Sequence, residues 1–287
     1  MRSLKARHDF EENGSFSTML PRPLQQTKIV ILDDIAFSSR FRTCSGEQAP
    51  GITRAQSVWL GAQLDASRYA RQKVWTIAHI PPGIDPRSTF YRSNGRNDVC
   101  ATRKPVMFLS DDQLETTLAL HSDVVRLSLF GHTHMDELRL LSGRGVPASQ
   151  TVGVPVKMVP SISPVGGNRP AFVIATVSVA TSEMMDYTVY AASDWTDRNT
   201  TWTPEYSFQK TYDVPSFAAA SLDMLTRRLE EDESGSSEAA QHYIGYYTSL
   251  GLNVFGIGSV WPQYRCVLSK SSATEFLECA CTAIQKH

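Results

Sequence analysis

Three short apolar runs, Lys28 to Leu32, Val74 to Ala78 and Val124 to Phe130, are rich in β-branched and aromatic residues and bounded by polar turns, which predicts buried strands. Between them, Thr53 to Ala70 carries Val58, Trp59, Ala62, Leu64 and Ala66 at helical spacing. Ser110-Asp111-Asp112-Gln113 has the form of a capping box that opens a second helix running through Leu120. Strand and helix alternate, so the pattern predicts an α/β fold.

After Gly131 the period changes. Leu138 to Leu141, Val156 to Val159, Phe172 to Val179 and Tyr187 to Ala191 are separated by Gly and Pro, and predict a second, largely antiparallel strand group. From Asp194 aromatic residues gather (Trp195, Trp202, Tyr206, Phe208, Tyr212), followed by helical patterns at Pro215 to Glu230, Ser237 to Leu250 and Ala273 to Lys286. The acidic, Ser/Gly-rich stretch Glu230 to Ser237 breaks the first two of these helices apart. The expected division is residues 1–193 as an α/β portion and 194–287 as a helical C-terminal subdomain.

Composition narrows this picture without redirecting it. In 287 residues, Lys+Arg 28 against Asp+Glu 29 gives a net charge of −1, so no global basic field points to nucleic acid and any phosphate recognition is local. No run approaches the ~18 apolar residues of a membrane span. Met1 to Met19 has no apolar core of a signal peptide. The five cysteines form no CxxC pair, which argues against a cysteine metal site. Cys266, Cys279 and Cys281 lie close enough for one pair to close a short loop, and reduced, buried thiols account for the same composition equally well.

The candidate chemistry lies in three of seven histidines. His79 follows the strand ending at Ala78 and opens His-Ile-Pro-Pro-Gly; His132 and His134 follow the strand ending at Phe130, in Gly-His-Thr-His. Open α/β sheets bind ligands beyond the carboxyl ends of their strands, so both segments deliver imidazoles to the edge where chemistry is found. An extended His-x-His places both rings on one face, whereas a loop eased by Gly131 lets them diverge toward two metals. Ring nitrogens that bind metal need orienting acceptors on their other side, for which Asp136 and Glu137 are near in sequence. The plainer account, histidines satisfied at strand ends, fits one such segment better than two. His8, His121 and His242 are read as solvated or capping side chains, and His287 has no assigned role.

Ala78 to Gly83 (AHIPPG) and Phe130 to Glu137 (FGHTHMDE) resemble the last two motifs of the calcineurin-like metallophosphoesterases, in particular their acid sphingomyelinase-like branch. Pro160 to Pro170 resembles the loop that follows those motifs, and the region from Trp202 to the late cysteines resembles the helical C-terminal subdomain. The resemblance is to the C-terminal part of such an enzyme. It implies part of a calcineurin-like α/β sandwich with a helical C-terminal subdomain, and a metal-dependent phosphodiester hydrolase related to sphingomyelin phosphodiesterases. Two metal ions, expected to be zinc, would clamp the phosphoryl group in the complete family site. Carried over by position, His79 and His132 would ligate one ion and His134 the other, with Asp136 as an orienting partner.

The remaining family motifs, Asp-x-His, Gly-Asp-x-x-Asp and Gly-Asn-His, do not occur in this sequence. Hard divalent ions bind poorly without anionic oxygen ligands, so the expectation here is one metal or none, no assigned general acid, and a chain that is inactive alone. A single zinc held by three converging histidines is the remaining metal arrangement. Strands at Lys28 to Leu32 and Val74 to Ala78 are expected to be left with an unpaired edge and an exposed apolar face. The resemblance further implies a phosphodiester substrate, a lipid among the candidates, and an extracellular or periplasmic location. That location suits a disulfide from Cys266 to Cys279 or Cys281 and another joining Cys44 with Cys100. The alternative from a different class is a non-catalytic binding protein that keeps the fold. A weaker third reading, docking of the Trp/Tyr-rich region on a membrane surface, lacks a basic amphipathic face in its support.

Overall fold

A computed structural model of the chain describes residues 4–92, 95–142, 153–194, 199–251 and 256–282, which leaves Trp195 and His287 outside the described residues. The chain opens with α1 (Leu4–Asn13), β1 (Phe16–Met19) and β2 (Thr27–Ile31). It continues through α2 (Pro50–Tyr69), β3 (Lys73–Ile77), α3 (Pro86–Phe90), a short ladder of β4 (Tyr91–Arg92) with β5 (Gly95–Arg96), α4 (Val99–Thr102) and α5 (Gln113–Leu120) to β6 (Val125–Phe130). The three predicted strands are β2, β3 and β6, and the two predicted helices are α2 and α5. At α5 the cap differs in detail: Gln113 N donates to Asp111 Oδ1 at 3.0 Å, while the Ser110 hydroxyl turns back to the carbonyl of Phe37.

Beyond β6 run β7 (Glu137–Leu141), β8 (Val154–Met158), β9 (Ala171–Val177), β10 (Met184–Ala192) and β11 (Trp202–Ser207). Six strands form one mixed sheet in the order β1-β2-β3-β6-β8-β7, and β9 to β11 form a separate antiparallel sheet. Two expectations change here. The strands around Leu138 and Val156 do not belong to the second group; β8 pairs parallel with β6 and antiparallel with β7, extending the first sheet. Nor are β2 and β3 left with an open edge: β1 pairs antiparallel with β2, and β3 lies between β2 and β6. The sequence supplies its own edge strand in Phe16 to Met19, too short and too polar to stand out by pattern.

The remaining helices are α6 (Phe208–Tyr212), α7 (Ala219–Glu231), α8 (Glu238–Tyr246), α9 (Trp261–Tyr264) and α10 (Ala273–Thr282). The break between α7 and α8 is built by Asp232, whose carboxylate accepts from the amides of Gly235 (2.9 Å) and Ser237 (2.8 Å). These and neighbouring bonds hold its pKa down to about 2.

Each face of the six-stranded sheet has its own core. Val30, Val74, Val125 and Val156 pack with Leu60 and Leu64 of α2 and Leu114 and Leu118 of α5. On the other face, Leu127, Leu138 and Leu140 meet Tyr187 and Val189 of β10 and the helices carrying Leu222, Trp261, Tyr264 and Phe276. The molecule is therefore an α/β sandwich with a helical C-terminal part. That part is joined to β10 directly, because β11 lies past residue 194 and pairs with β10. Disulfides Cys100–Cys281 and Cys266–Cys279 staple α10 to α4 and to the turn Arg265–Leu268 that follows α9. Cys44 is a free, exposed thiol, so the expected Cys44–Cys100 bridge is replaced by Cys100–Cys281: the C-terminal helix, not the Cys44 loop, is packed against α4.

Candidate active site

The parallel register β2-β3-β6 brings the carboxyl ends of these strands side by side, with Ile31 opposite Ile77 and Ile77 opposite Leu129. His79 and His132 emerge two residues past β3 and β6. Their rings meet edge to face, centroids 5.3 Å apart at 90°. Two elements hold the pair. Gly131 N donates to the His79 carbonyl at 3.0 Å, and a Cβ at Gly131 would stand only 3.2 Å from His79 Nδ1. Gly131 thus eases a close approach and is not in the left-handed region. The left-handed residues are the histidines themselves, His132 at φ 70° and His134 at φ 65°. A non-glycine residue held there costs on the order of 1–2 kcal/mol, a strain that concentrates at functional sites.

The three histidines do not fall into one cluster. His132 is exposed, flanked by His79 and by the edge of Phe108 (5.4 Å, 83°). His134 turns under the loop from Ser161 to Asn168, where its carbonyl accepts from Ser161 N at 3.2 Å and its Nδ1 is buried without a hydrogen-bond partner among the described residues. Partial desolvation of the ring where it faces its neighbours first, and the nearby His79 second, push the His132 pKa below the ordinary histidine value, partly offset by Asp85. Both influences favour the uncharged imidazole, whose lone pair can serve as a ligand or proton acceptor.

Asp136 occupies a different place from the rings. Its carboxylate is ion-paired with Lys157 and accepts from the Tyr206 hydroxyl at 2.7 Å; among the described residues it bonds to none of the three histidines. Glu137 likewise pairs with Arg139 at 3.3 Å and accepts from Tyr264 at 3.2 Å, and the Arg139 guanidinium reaches the Pro82 carbonyl at 3.1 Å. These buried carboxylates anchor the end of the Gly-His-Thr-His turn, and Arg139 ties it to the Pro-Pro-Gly segment after His79.

Three residues at the site were not singled out from the sequence. Asp34, three residues past β2, accepts from Ile80 N at 2.6 Å, fixing the backbone that presents His79; burial raises its pKa to about 6. Asp85 caps α3 by accepting from Ser88 N at 3.0 Å, and Arg40 donates to the Ser88 hydroxyl at 2.7 Å. Only the doubled acid Asp33-Asp34 at a strand end could have flagged the first; Arg40 comes from a loop with no pattern.

A cleft of about 400 Å³ opens beside His132 and is lined by Arg40, Asp85, Arg87, Phe108 and Tyr247. Two adjacent imidazoles suit one soft or borderline divalent ion. Among the described residues, however, no three His, Cys, Asp or Glu side chains gather at metal-binding distance. The residues present fit part of a metal centre and not a complete one.

No family model matches the chain. Curated relatives do. The chain is 28% identical to the sphingomyelinase phosphodiesterase D of Dictyostelium discoideum over 94% of its own length and 57% of that protein's. It is 24% identical to the bovine cyclic GMP-AMP phosphodiesterase SMPDL3A (81% and 50%), and 26% identical to the human acid sphingomyelinase-like phosphodiesterase 3b (78% and 48%). The chain thus spans about half the length of these relatives. Together with the two histidine turns at the carboxyl ends of β3 and β6, this relates the chain to the acid sphingomyelinase-like branch of the calcineurin-like metallophosphoesterases.

Proposed function

We propose that this chain carries the histidine side of a phosphodiester-hydrolysing site. The observation that supports it is the His79–His132 pair at 5.3 Å, set at the carboxyl edge of the sheet and opening on a nucleotide-sized cleft. His79 and His132 would serve as ligands to one divalent cation, zinc by donor type, and His134 to a second, with the charge-balancing carboxylates supplied by residues outside this histidine set. Such a cation, when bound, would polarise the phosphoryl oxygens. The protein's own contribution is placement. Asp34 fixes the His79 turn, and Gly131 brings the two rings together. The ion pairs of Asp136 and Glu137 hold the His132–His134 turn against the C-terminal half, so that Asp136 acts on the ligands through the backbone. Substrates would be phosphodiesters, sphingomyelin-like lipids among them. The two disulfides suit an extracellular or periplasmic location, where thiols are oxidised.

The test combines elemental metal analysis of the purified chain with hydrolysis of bis(p-nitrophenyl) phosphate in the presence of zinc or manganese, for the natural sequence and His132→Ala. Bound metal and turnover, both lost in the variant, are expected if carboxylate ligands complete the site. Metal bound with no turnover would favour the second reading, a non-catalytic phosphoester-binding protein. Zinc uptake unaffected by His132→Ala would remove the histidine assignment altogether.

A further inference from the structure

The cleft beside His132 is not neutral. Among the described residues, Arg40 and Arg87 line it against a single carboxylate, Asp85, with no other Asp, Glu, Lys or Arg in the lining. Arg40 is tethered without being consumed. One terminal nitrogen donates to Ser88 Oγ and stands 3.6 Å from Asp85 Oδ2, while Nε and Nη1 have no protein acceptor among the described residues. Its side chain is 74% exposed, against 12% for Asp85. The ion pair is therefore weak and screened, and the guanidinium is aimed rather than locked. A planar guanidinium with a free N–H edge is the geometry that receives a phosphate or carboxylate through two hydrogen bonds. The walls offer little to a quaternary ammonium, which is held by open aromatic faces. Phe108 already carries Arg139 over its ring at 5.5 Å and meets His132 at its edge, and Tyr247 is buried against Tyr264.

We propose that Arg40 is a specificity-determining residue of this cleft. It receives a second anionic group on a phosphoester whose first phosphoryl group lies at the histidine pair, so that the cleft selects polyanionic phosphoesters over the zwitterionic phosphocholine group. The proposal rests on the preceding one in placing the first phosphoryl group at His79 and His132. The cleft volume of about 400 Å³ falls within the range of small-molecule sites and admits a nucleoside diphosphate.

Isothermal titration calorimetry of the whole, disulfide-intact chain with adenosine 5′-diphosphate and with phosphocholine tests this, each run with zinc and with chelator. Adenosine 5′-diphosphate is expected to bind at least tenfold more tightly than phosphocholine. Arg40→Ala should cut the diphosphate affinity about tenfold and the phosphocholine affinity less than twofold. Arg40→Lys, which keeps the charge and loses the fork, should recover part of the difference. Arg40 is exposed, so an unchanged melting temperature verifies folding of both variants. Equal affinity for the two ligands, or a diphosphate affinity indifferent to Arg40→Ala, overturns the proposal even where zinc and His132 still govern binding. If the Arg40 effect persists while zinc and His132→Ala change nothing, the arginine assignment stands and the metal reading falls. No binding of either ligand under either condition overturns both.

Discussion

Lys157 is fully buried in β8. Its ammonium pairs with Asp136, donates to the Glu137 carbonyl at 3.3 Å and stands 4.9 Å over the ring of Tyr187. Replacing it with methionine preserves most of the volume and removes the charge. Among the described residues, the Asp136 carboxylate would then keep only the Tyr206 hydroxyl as a partner, leaving an uncompensated charge in the core. Breaking one side of a buried pair in this way costs about 3–5 kcal/mol, because the remaining charge has lost its counter-ion without regaining water. For a chain of this size, each kcal/mol corresponds to about 2–4 °C in melting temperature, so a fall of roughly 6–20 °C is expected. The double variant Lys157→Met, Asp136→Leu removes both charges, and Tyr206 retains the Tyr187 hydroxyl at 3.2 Å. Its stability should return to within about 1–2 kcal/mol of the natural sequence. The assay is urea denaturation followed by far-ultraviolet circular dichroism on all four members of the cycle. Single and double losses that simply add, or a Lys157→Met loss under about 1 kcal/mol, would show that the pair does not couple and is not desolvated as described.

The other expectations concern the C-terminal half. Both carboxylate oxygens of Glu205 are buried, and burial, aided by the charge of Asp136 and only partly offset by Arg169 and Ser249, raises its pKa from 4.5 to about 8. A carboxyl group whose folded pKa is raised binds its proton more tightly in the folded state, so stability should decline as pH rises from 4.5 to about 8. Glu205→Gln should flatten that decline, with a gain of up to about 3 kcal/mol at pH 7; pH-resolved denaturation in which the two proteins run parallel would contradict the assignment. The disulfides close loops of very different length, with separations of 181 and 13 residues. Cys100→Ser with Cys281→Ser should therefore cost about 5 kcal/mol, and Cys266→Ser with Cys279→Ser about 3. Melting curves in which the short loop matters more would refute the loop-entropy account.

The sequence by itself determined the elements whose signal is local. Buried parallel strands need continuous apolar runs, so KIVIL, VWTIA and VVRLSLF were legible as strands. The residues directly after them, His79 and the pair His132 and His134, were legible as the edge where chemistry gathers. What tertiary structure alone decided is partnership. The strands at Glu137–Leu141 and Val154–Met158 joined the first sheet because β6 accepts β8 in parallel, a choice not encoded in the alternation of their own residues. The acid at position 136 looks like a ligand's partner by sequence distance, yet its carboxylate is turned to Lys157, twenty-one residues on, and Tyr206, seventy residues on. Arg40 and Asp85 became neighbours of His132 only when separate loops converged on one cleft. Short-range pattern reports how a segment buries its own apolar face. Which distant charge satisfies a buried carboxylate, and which loops share a cleft, depends on closing long stretches of chain, and no single segment carries that information.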